Sequence, residues 1–388
     1  MKRVFLIITD SCGIGALPDA ERWHDEGSNT LRSIRDSEYF FCPQLKELGL
    51  FNIDTVGGGI ENPKASFARL GELSNGKDTT IGHWEIAGVI SDKALPTYPN
   101  GFPDSIIEEF EKLTGRGTLC NKPYSGTDVI RDYGEEHIQT GKLIVYTSQD
   151  SVFQIAAHEN YVPVEELYRY CQIARDLLIG EHSVGRVIAR PFVGDKDSGF
   201  IRTANRHDFS LAPQKTTMLD LLKEKGFDVI SVGKIYDIFA GVGLSESHRT
   251  TSNLDGMNKT IALQNKDFNG LCFVNLVDFD SKYGHRNDVD GYAKAMTEFD
   301  NELTTFIDNM RAGDLLIVTA DHGCDPITPS TDHSREYVPM LIYGDMIKSG
   351  VNLGTRTSFS DISATILEYF DVDKKETSGR SFLKEVLK

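Results

Sequence analysis

The chain contains no long apolar run. Stretches such as Val4–Ile8 and Leu315–Val318 fall far short of the ~20 residues that cross a bilayer, so no membrane span is expected. No charged-then-apolar leader opens the sequence. Arg3-Val-Phe-Leu-Ile-Ile-Thr-Asp10 reads directly as a strand, and secretion is not expected. The six cysteines (12, 42, 120, 171, 272 and 324) form no C-x-x-C pair, which points to reduced thiols in a cytoplasmic protein rather than a disulfide scaffold. Basic residues are also in deficit: 41 Lys and Arg stand against 58 Asp and Glu, a net charge of −17. That balance excludes the basic face of a nucleic-acid binder. An anionic ligand would need metal ions or a few placed cations beside it. Low-complexity tracts, heptad runs and internal repeats are missing too.

What remains is an ordinary globular composition, 39% hydrophobic and 26% charged over 388 residues, enough for two or three domains. The last 170 or so residues alternate. The patterns predict helices at Met218–Lys225, Asn258–Gln264, Tyr292–Met310 and Phe359–Phe370. They predict strands at Asp228–Val232, Leu271–Val277, Asp314–Thr319 and Val338–Tyr343. Such alternation implies an α/β domain with a mostly parallel sheet covered by helices on both faces. From about 93 to 212 the period is irregular, with a helix at Pro163–Leu178 and short strands at Leu143–Thr147 and Gly185–Ala189. Pro- and Gly-rich stretches flank it. This organisation predicts a core of residues 1–92 and 213–388 interrupted by a smaller α+β domain, 93–212.

Ligands of an open α/β sheet bind beyond the carboxyl ends of its strands. Asp10 ends the first strand. Asp278-Phe-Asp280 and then His285 follow the Leu271–Val277 strand. Asp321-His322 follows Asp314–Thr319, and a loop leads on to His333. Aspartate and neutral histidine are the ligands of hard and borderline divalent ions, and this number of them suffices for two. A pair of ions ~3.5–4 Å apart clamps a phosphoryl group from both sides.

A second cluster is Gly76-Lys-Asp-Thr-Thr-Ile-Gly-His-Trp-Glu85. Asp78 or Thr79 can cap a helix starting there. A threonine at such a helix N-terminus beside a metal is also a nucleophile, its alkoxide stabilised by the ion and the helix dipole. Thr79 and Thr80 are both candidates.

Taken together, these residues resemble the alkaline phosphatase superfamily. Five strings resemble the prokaryotic phosphopentomutase family in particular: Gly76-Lys-Asp-Thr…Gly82-His-Trp-Glu, Thr147-Ser-Gln-Asp-Ser-Val, Val187-Ile-Ala-Arg-Pro-Phe-Val-Gly, Asn275-Leu-Val-Asp-Phe-Asp and Asp332-His-Ser-Arg-Glu-Tyr-Val-Pro. The resemblance runs from Lys2 to about Phe382. It implies an alkaline-phosphatase-like core with an inserted cap, and phosphate transfer between O1 and O5 of ribose or 2-deoxyribose. Two Mn²⁺ ions, a phosphothreonine and activation by a sugar 1,6-bisphosphate are implied with it. By the same resemblance Asp10, Asp321 and His322 would hold one ion, Asp280, His285 and His333 the other, and Thr79 would carry the phosphate. In the cap, Arg186 and Arg202, with Lys234 of the core, would take the distal phosphate, and Ser148 and Asp150 the sugar. Arg190 and Arg206 are further cationic candidates. Cys324 stands where many relatives have Asn. The expected partners are ribose and deoxyribose phosphates, with no nucleic acid or membrane, and the chain is expected to act as a monomer. The core alone also suits a metal-dependent phosphohydrolase or a phosphoglycerate mutase; the cap strings and the Lys-Asp-Thr segment favour the mutase.

Overall fold

Arg3–Thr9 is buried at every position because it runs through the middle of a sheet, parallel to both Gly270–Leu276 and Asp314–Thr319. The computed structural model describes residues 1–148 and 150–388; Gln149, within the Thr147–Val152 string, lies outside the described residues. Eight strands form this sheet, in the order Glu246–His248, Asp228–Val232, Gly270–Leu276, Arg3–Thr9, Asp314–Thr319, Val338–Tyr343, Ser66–Leu70, Asn352–Arg356. The first five are mutually parallel, and their carboxyl ends share one edge. Val338–Tyr343 runs against both of its neighbours, so the sheet is mixed at that side. Arg3, polar in a buried strand, is compensated by Asp314 on the next strand: Nη2 and Nε reach its two carboxylate oxygens at 2.6 and 2.8 Å. That pair sits at the amino edge, away from the chemistry.

The helices follow their apolar stripes. Val289–Asp308 buries Tyr292, Met296, Phe299, Leu303 and Phe306 on one side, and Asp288 caps it by accepting from the Gly291 N–H. One helix is longer than its pattern predicts: it spans Asn253–Gln264 instead of beginning at Asn258, with Ser252 as its N-cap. Gly256 in the first turn breaks the apolar stripe, and it is there because a Cβ would lie 2.9 Å from Leu276.

The chain divides into two compact units, Met1–Ala94 with Pro213–Lys388, and Leu95–Ala212. The second holds its own sheet, ordered Thr118–Pro123, Leu143–Thr147, Val152–His158, Arg186–Asp195, Gly199–Arg202, with His207–Ser210 also on Arg186–Asp195. Its helices are Asp104–Thr114, Asp128–Thr140 and Val164–Leu177. The first two of these escape the sequence pattern because their buried sets are sparse, Ile106, Phe110 and Thr114 in one and Val129, Ile130, Gly134 and His137 in the other. The strand predicted as Gly185–Ala189 continues to Asp195 through Pro191. It does so by changing partners: Arg186–Ala189 pairs with His207–Ser210, and Phe192–Asp195 with Gly199–Arg202. Pro191, lacking an N–H, falls at the changeover.

Thr79–Ile86 is the helix that brings the second sequence cluster to the sheet edge. Its backbone lies hard against the end of Asp314–Thr319. A Cβ on Gly82 would sit 2.2 Å from the Asp321 carbonyl oxygen. Gly82→Ala should therefore cost about 1–3 kcal/mol through overpacking. Trp23 and Trp84, the only tryptophans of the chain, both lie in the first unit, so denaturant unfolding followed by tryptophan fluorescence reads it directly. An unchanged midpoint would show that the helix can move away freely.

Candidate metal centre and nucleophile

Three carboxylates and three imidazoles meet at the carboxyl edge of the parallel strands. Asp10, Asp280, Asp321 and His322 are buried, and His285 and His333 are partly so. One group is Asp10, Asp321 and His322, with His322 Nε2 at 3.3 Å from both Asp10 Oδ1 and Asp321 Oδ2. Asp280 centres the other: Oδ2 is 3.3 Å from His285 Nε2 and Oδ1 is 3.4 Å from His333 Nε2. The two groups touch, since Asp280, His322 and His333 also fall within one ligand sphere.

The donor chemistry fits divalent cations. His322 Nδ1 donates to the Gly323 carbonyl at 2.9 Å and His285 Nδ1 to the Thr331 carbonyl at 2.6 Å, which leaves each Nε2 lone pair aimed into the cluster. Asp10 Oδ1, Asp280 Oδ1, Asp321 Oδ2 and His333 Nε2 are buried and make no hydrogen bond with any described residue. Orphaned buried acceptors of this kind are costly unless a cation meets them.

Electrostatics point the same way. Burial pushes the Asp10 carboxyl above its ordinary range, and the charge of Asp321 adds to it. Burial alone would lower the His322 pKa, but Asp321 and Asp10 outweigh it and raise it well above an ordinary imidazole. Burial likewise opposes protonation of His285, yet Asp280 carries it up to about 9. Three negative charges in this small volume demand positive charge, whether protons or metal ions.

Thr79 faces the cluster. It is the first residue of its helix, buried, with Oγ1 at 3.2 Å from His322 Nε2. Asp78 is the N-cap, accepting from the Thr80 and Ile81 N–H groups at 3.0 and 3.1 Å. Thr80 is half-buried, and among the described residues its hydroxyl makes no hydrogen bond to the cluster.

Sequence reasoning passes over the residues that hold these groups in place. His83, one turn after Thr79, donates from Nδ1 to the Thr79 carbonyl at 2.8 Å and lies 3.0 Å from Asp321 Oδ2. Asn275 Nδ2 donates to Asp10 Oδ2 at 2.7 Å and to His83 Nε2 at 3.2 Å. Two cations then join the Thr79 loop to the His333 loop. Lys77 reaches Asp25 at 3.1 Å and Asp332 at 3.2 Å. Arg335 crosses the other way, to Glu72 at 2.6 Å and the Gly76 carbonyl at 2.5 Å. Buried Glu336 accepts from the Gly15 and Thr30 N–H groups and from the Thr30 and Ser334 hydroxyls. His83 and Asn275 stand inside the strings that carry the family resemblance. A polar residue within a fully buried strand, as Asn275 is near the carboxyl end of Gly270–Leu276, is the signal that could have singled it out.

The remaining candidates are placed as follows. Lys234 follows the Asp228–Val232 strand at the same carboxyl edge as the cluster, and it has no ion pair among the described residues. In the Leu95–Ala212 unit, Arg202 is exposed and also unpaired among the described residues, whereas Arg186 is shared between Asp150 at 3.6 Å and Asp208 at 3.5 Å. The Ser148 hydroxyl accepts from the Asp150 N–H at 3.3 Å. Arg190 is mostly buried, donates to Gln154 at 2.7 Å and lies over the Tyr146 ring, with its Nε unpartnered. Burial first, then the nearby charges of Arg206 and Arg202, makes its guanidinium less basic.

A family model described as the metalloenzyme superfamily matches residues 2–374. The chain is 59% identical to phosphopentomutase of Lachnoclostridium phytofermentans and 56% identical to that of Carboxydothermus hydrogenoformans, in each case over 100% of both chains. Among solved structures, phosphoglycerate mutase of Leishmania mexicana shares the fold, with a TM-score of 0.50 and 12% identity over 97% of each chain.

The clasp between the two loops is testable. Arg335→Ala leaves Glu72 buried without its partner, and breaking a buried pair costs ~3–5 kcal/mol. Arg335→Met combined with Glu72→Leu should recover much of this, because two apolar side chains leave no charge stranded. Tryptophan-detected unfolding of the single and double variants measures the difference. A double variant no more stable than Arg335→Ala would mean that the further links of Arg335, to half-buried Asp19 at 3.2 Å and to the Gly76 carbonyl, carry the stability instead.

Proposed function

The chain belongs to the phosphopentomutases of the metalloenzyme superfamily, and from that premise we propose that Thr79 carries the phosphoryl group as it moves between O1 and O5 of ribose or 2-deoxyribose. The enzyme is an isomerase, an intramolecular phosphotransferase. The observation that carries the reading is the Thr79 hydroxyl at a helix N-terminus, 3.2 Å from His322 within the carboxylate–imidazole cluster.

Asp10, Asp321 and His322 would hold one divalent cation and Asp280, His285 and His333 the other, with Mn²⁺ the ion expected. When bound, such ions neutralise the phosphoryl oxygens and lower the pKa of a nearby hydroxyl. The chain's own residues do the rest. Phosphate on Thr79 Oγ1 passes to the free hydroxyl of a pentose monophosphate. The P–O bond to Thr79 breaks, one to the sugar forms, and the sugar's hydroxyl proton ends on Thr79. A pentose bisphosphate results. Thr79 then takes the other phosphate and returns a proton to the departing sugar oxygen, which balances the cycle. A sugar 1,6-bisphosphate primes the enzyme by phosphorylating Thr79 in the same manner. His83 holds the Thr79 carbonyl and the Asp78 cap fixes the helix start, so the hydroxyl is oriented before the substrate arrives.

The phosphate not in transfer needs cations of its own. Arg202 and Lys234 are candidates, having no ion pair among the described residues, and Arg186, held in a shared pair with Asp150 and Asp208, is a third. The Leu95–Ala212 unit thereby serves as the substrate-binding cap, with Ser148 and Asp150 as contacts to the sugar. The acidic balance and the six free cysteines suit a cytoplasmic enzyme of small phosphates, acting as a monomer without nucleic-acid or membrane partners. No helix among the described residues is long and apolar enough to cross a membrane.

Thr79→Ala should fold, bind two ions per chain and show no mutase activity, because nothing then stores the phosphoryl group between the two oxygens. Thr79→Ser should keep part of the activity and Thr80→Ala most of it. Peptide mapping after incubation with a sugar bisphosphate decides the matter; phosphate on Thr80 would overturn the assignment. Chelation should abolish turnover and Mn²⁺ restore it, with Asp280→Asn or His333→Ala lowering the ion content by about one per chain on elemental analysis. Arg202→Ala should reduce kcat/KM by roughly ten- to a hundredfold at unchanged metal content, the scale of a lost charge-assisted bond to phosphate.

A further inference from the structure

One metal-ligating side chain at the centre has no part in the reaction above. Cys324 follows His322 by two residues and is buried, 1% exposed. Its Sγ, a carboxylate oxygen of Asp280 and a ring nitrogen of His285 all lie within 4.8 Å of one another. The position is built. The Cys324 N–H donates to Thr30 Oγ1 at 3.0 Å, which fixes the backbone. Gly284 opens room for the sulfur, since a Cβ there would sit 2.9 Å from Sγ. Among the described residues the one bond Sγ makes is a weak, long one, to the Asp332 carbonyl at 3.6 Å. Asp280 Oδ2 lies 3.3 Å from His285 Nε2, so a buried carboxylate oxygen and an imidazole nitrogen already face one another beside the thiol.

Hard and soft ions read such a corner differently. An ion that prefers oxygen and imidazole takes Asp280, His285 and His333 and leaves a thiol alone, whereas a thiophilic ion seeks the sulfur. We propose that Cys324, Asp280 and His285 form a soft-metal site overlapping the Asp280 ion position, one that captures thiophilic divalent cations such as Cd²⁺ or Zn²⁺. On capture the S–H bond breaks, its proton passes to solvent and a metal–sulfur bond replaces it; no oxidation state changes. An ion held there takes two ligands of the catalytic ion and so excludes it, which makes the site a sink for the wrong metal. The inference rests on the reading of Asp280 and His285 as metal ligands.

The test uses the full chain freed of ions by chelation, titrated with Cd²⁺ and followed by the ultraviolet thiolate-to-cadmium charge-transfer band. Mn²⁺ binding is measured in parallel by paramagnetic resonance. The wild-type protein should develop the band, and Cys324→Ser should lose it. Cd²⁺ affinity should fall about tenfold or more, the scale of removing one partner from a metal site, with Mn²⁺ affinity unchanged. Cys120→Ser, which removes the most accessible of the other five thiols, should keep the band. Should Cys324→Ser fold poorly by circular dichroism, Cys324→Ala is measured in its place. If Mn²⁺ binds but the band is absent from the wild type, or survives in the Cys324 variant, the soft site is wrong while the metal centre stands. If Mn²⁺ binds neither protein, the ligand reading falls and this inference with it.

Discussion

Everything at the working edge of this protein depends on keeping three carboxylates close together away from water. Asp10, Asp280 and Asp321 are each buried, and like charges at this separation repel strongly in a low-dielectric setting. Folding cannot hide them among apolar side chains, because an unpaired buried carboxylate is among the most expensive groups a chain can bury. The structure meets the cost with directed partners. Asn275 donates to Asp10, the Ser11 N–H donates to Asp321 at 3.1 Å, and imidazoles face the oxygens that remain. What these do not neutralise is left for cations. Metal binding at the proposed site would therefore be coupled to folding of the core: an ion that binds only the folded site stabilises it, and its loss returns the repulsion.

The same constraint explains why the clasp around the site is charged rather than apolar. The Thr79 loop and the His333 loop come from distant parts of the chain and must keep register to a fraction of an ångström if Thr79 is to stay aligned on the cluster. Apolar contacts are non-directional and tolerate sliding. Lys77 to Asp332 and Arg335 to Glu72 and Gly76 are directional, and they cross in opposite senses, so neither loop can shift without straining one of them. Trp23 lies 5.9 Å from both the Lys77 ammonium and the Arg335 guanidinium carbon, a ring that shields the pair from solvent.

These arrangements divide sharply in how far the sequence alone discloses them. Strands buried on both faces are unbroken apolar runs, so Arg3–Thr9, Asp314–Thr319 and Val338–Tyr343 can be read directly. Parallel strands ending in Asp10 and Asp321 place those residues at one edge by topology alone, and the carboxylate–imidazole cluster follows. The Leu95–Ala212 unit resists because its two sparsely buried helices and its partner-switching strand obey no single period. The choice between Thr79 and Thr80 is open in the sequence for a different reason. Both hydroxyls suit the chemistry, and only the helix start at Asp78 turns one of them toward His322. His83, Asn275 and Arg335 are missed because their worth lies in contacts across long stretches of chain, such as Arg335 to Glu72, and no local pattern records those.

Gly82 brings these levels together. Two demands meet at the Thr79–Ile86 helix: its N-terminus must reach the cluster so that Thr79 Oγ1 approaches His322, and its body must clear the strand end that supplies Asp321 and His322. Any side chain at 82 would hold the helix off by colliding with the Asp321 carbonyl, as the 2.2 Å approach of a Cβ shows. A helix-weakening residue is thus kept at the end of the first turn, at roughly 1 kcal/mol relative to alanine. The helix recovers part of this from the Asp78 cap and from its buried face of Ile81, Trp84 and Ile86. The distance between Thr79, the proposed nucleophile, and the proposed metal ligands is accordingly set by backbone contact, not by side-chain packing. Backbone contact is the stiffer of the two, which would suit the proposed transfer, in which one phosphoryl group passes back and forth without losing its alignment.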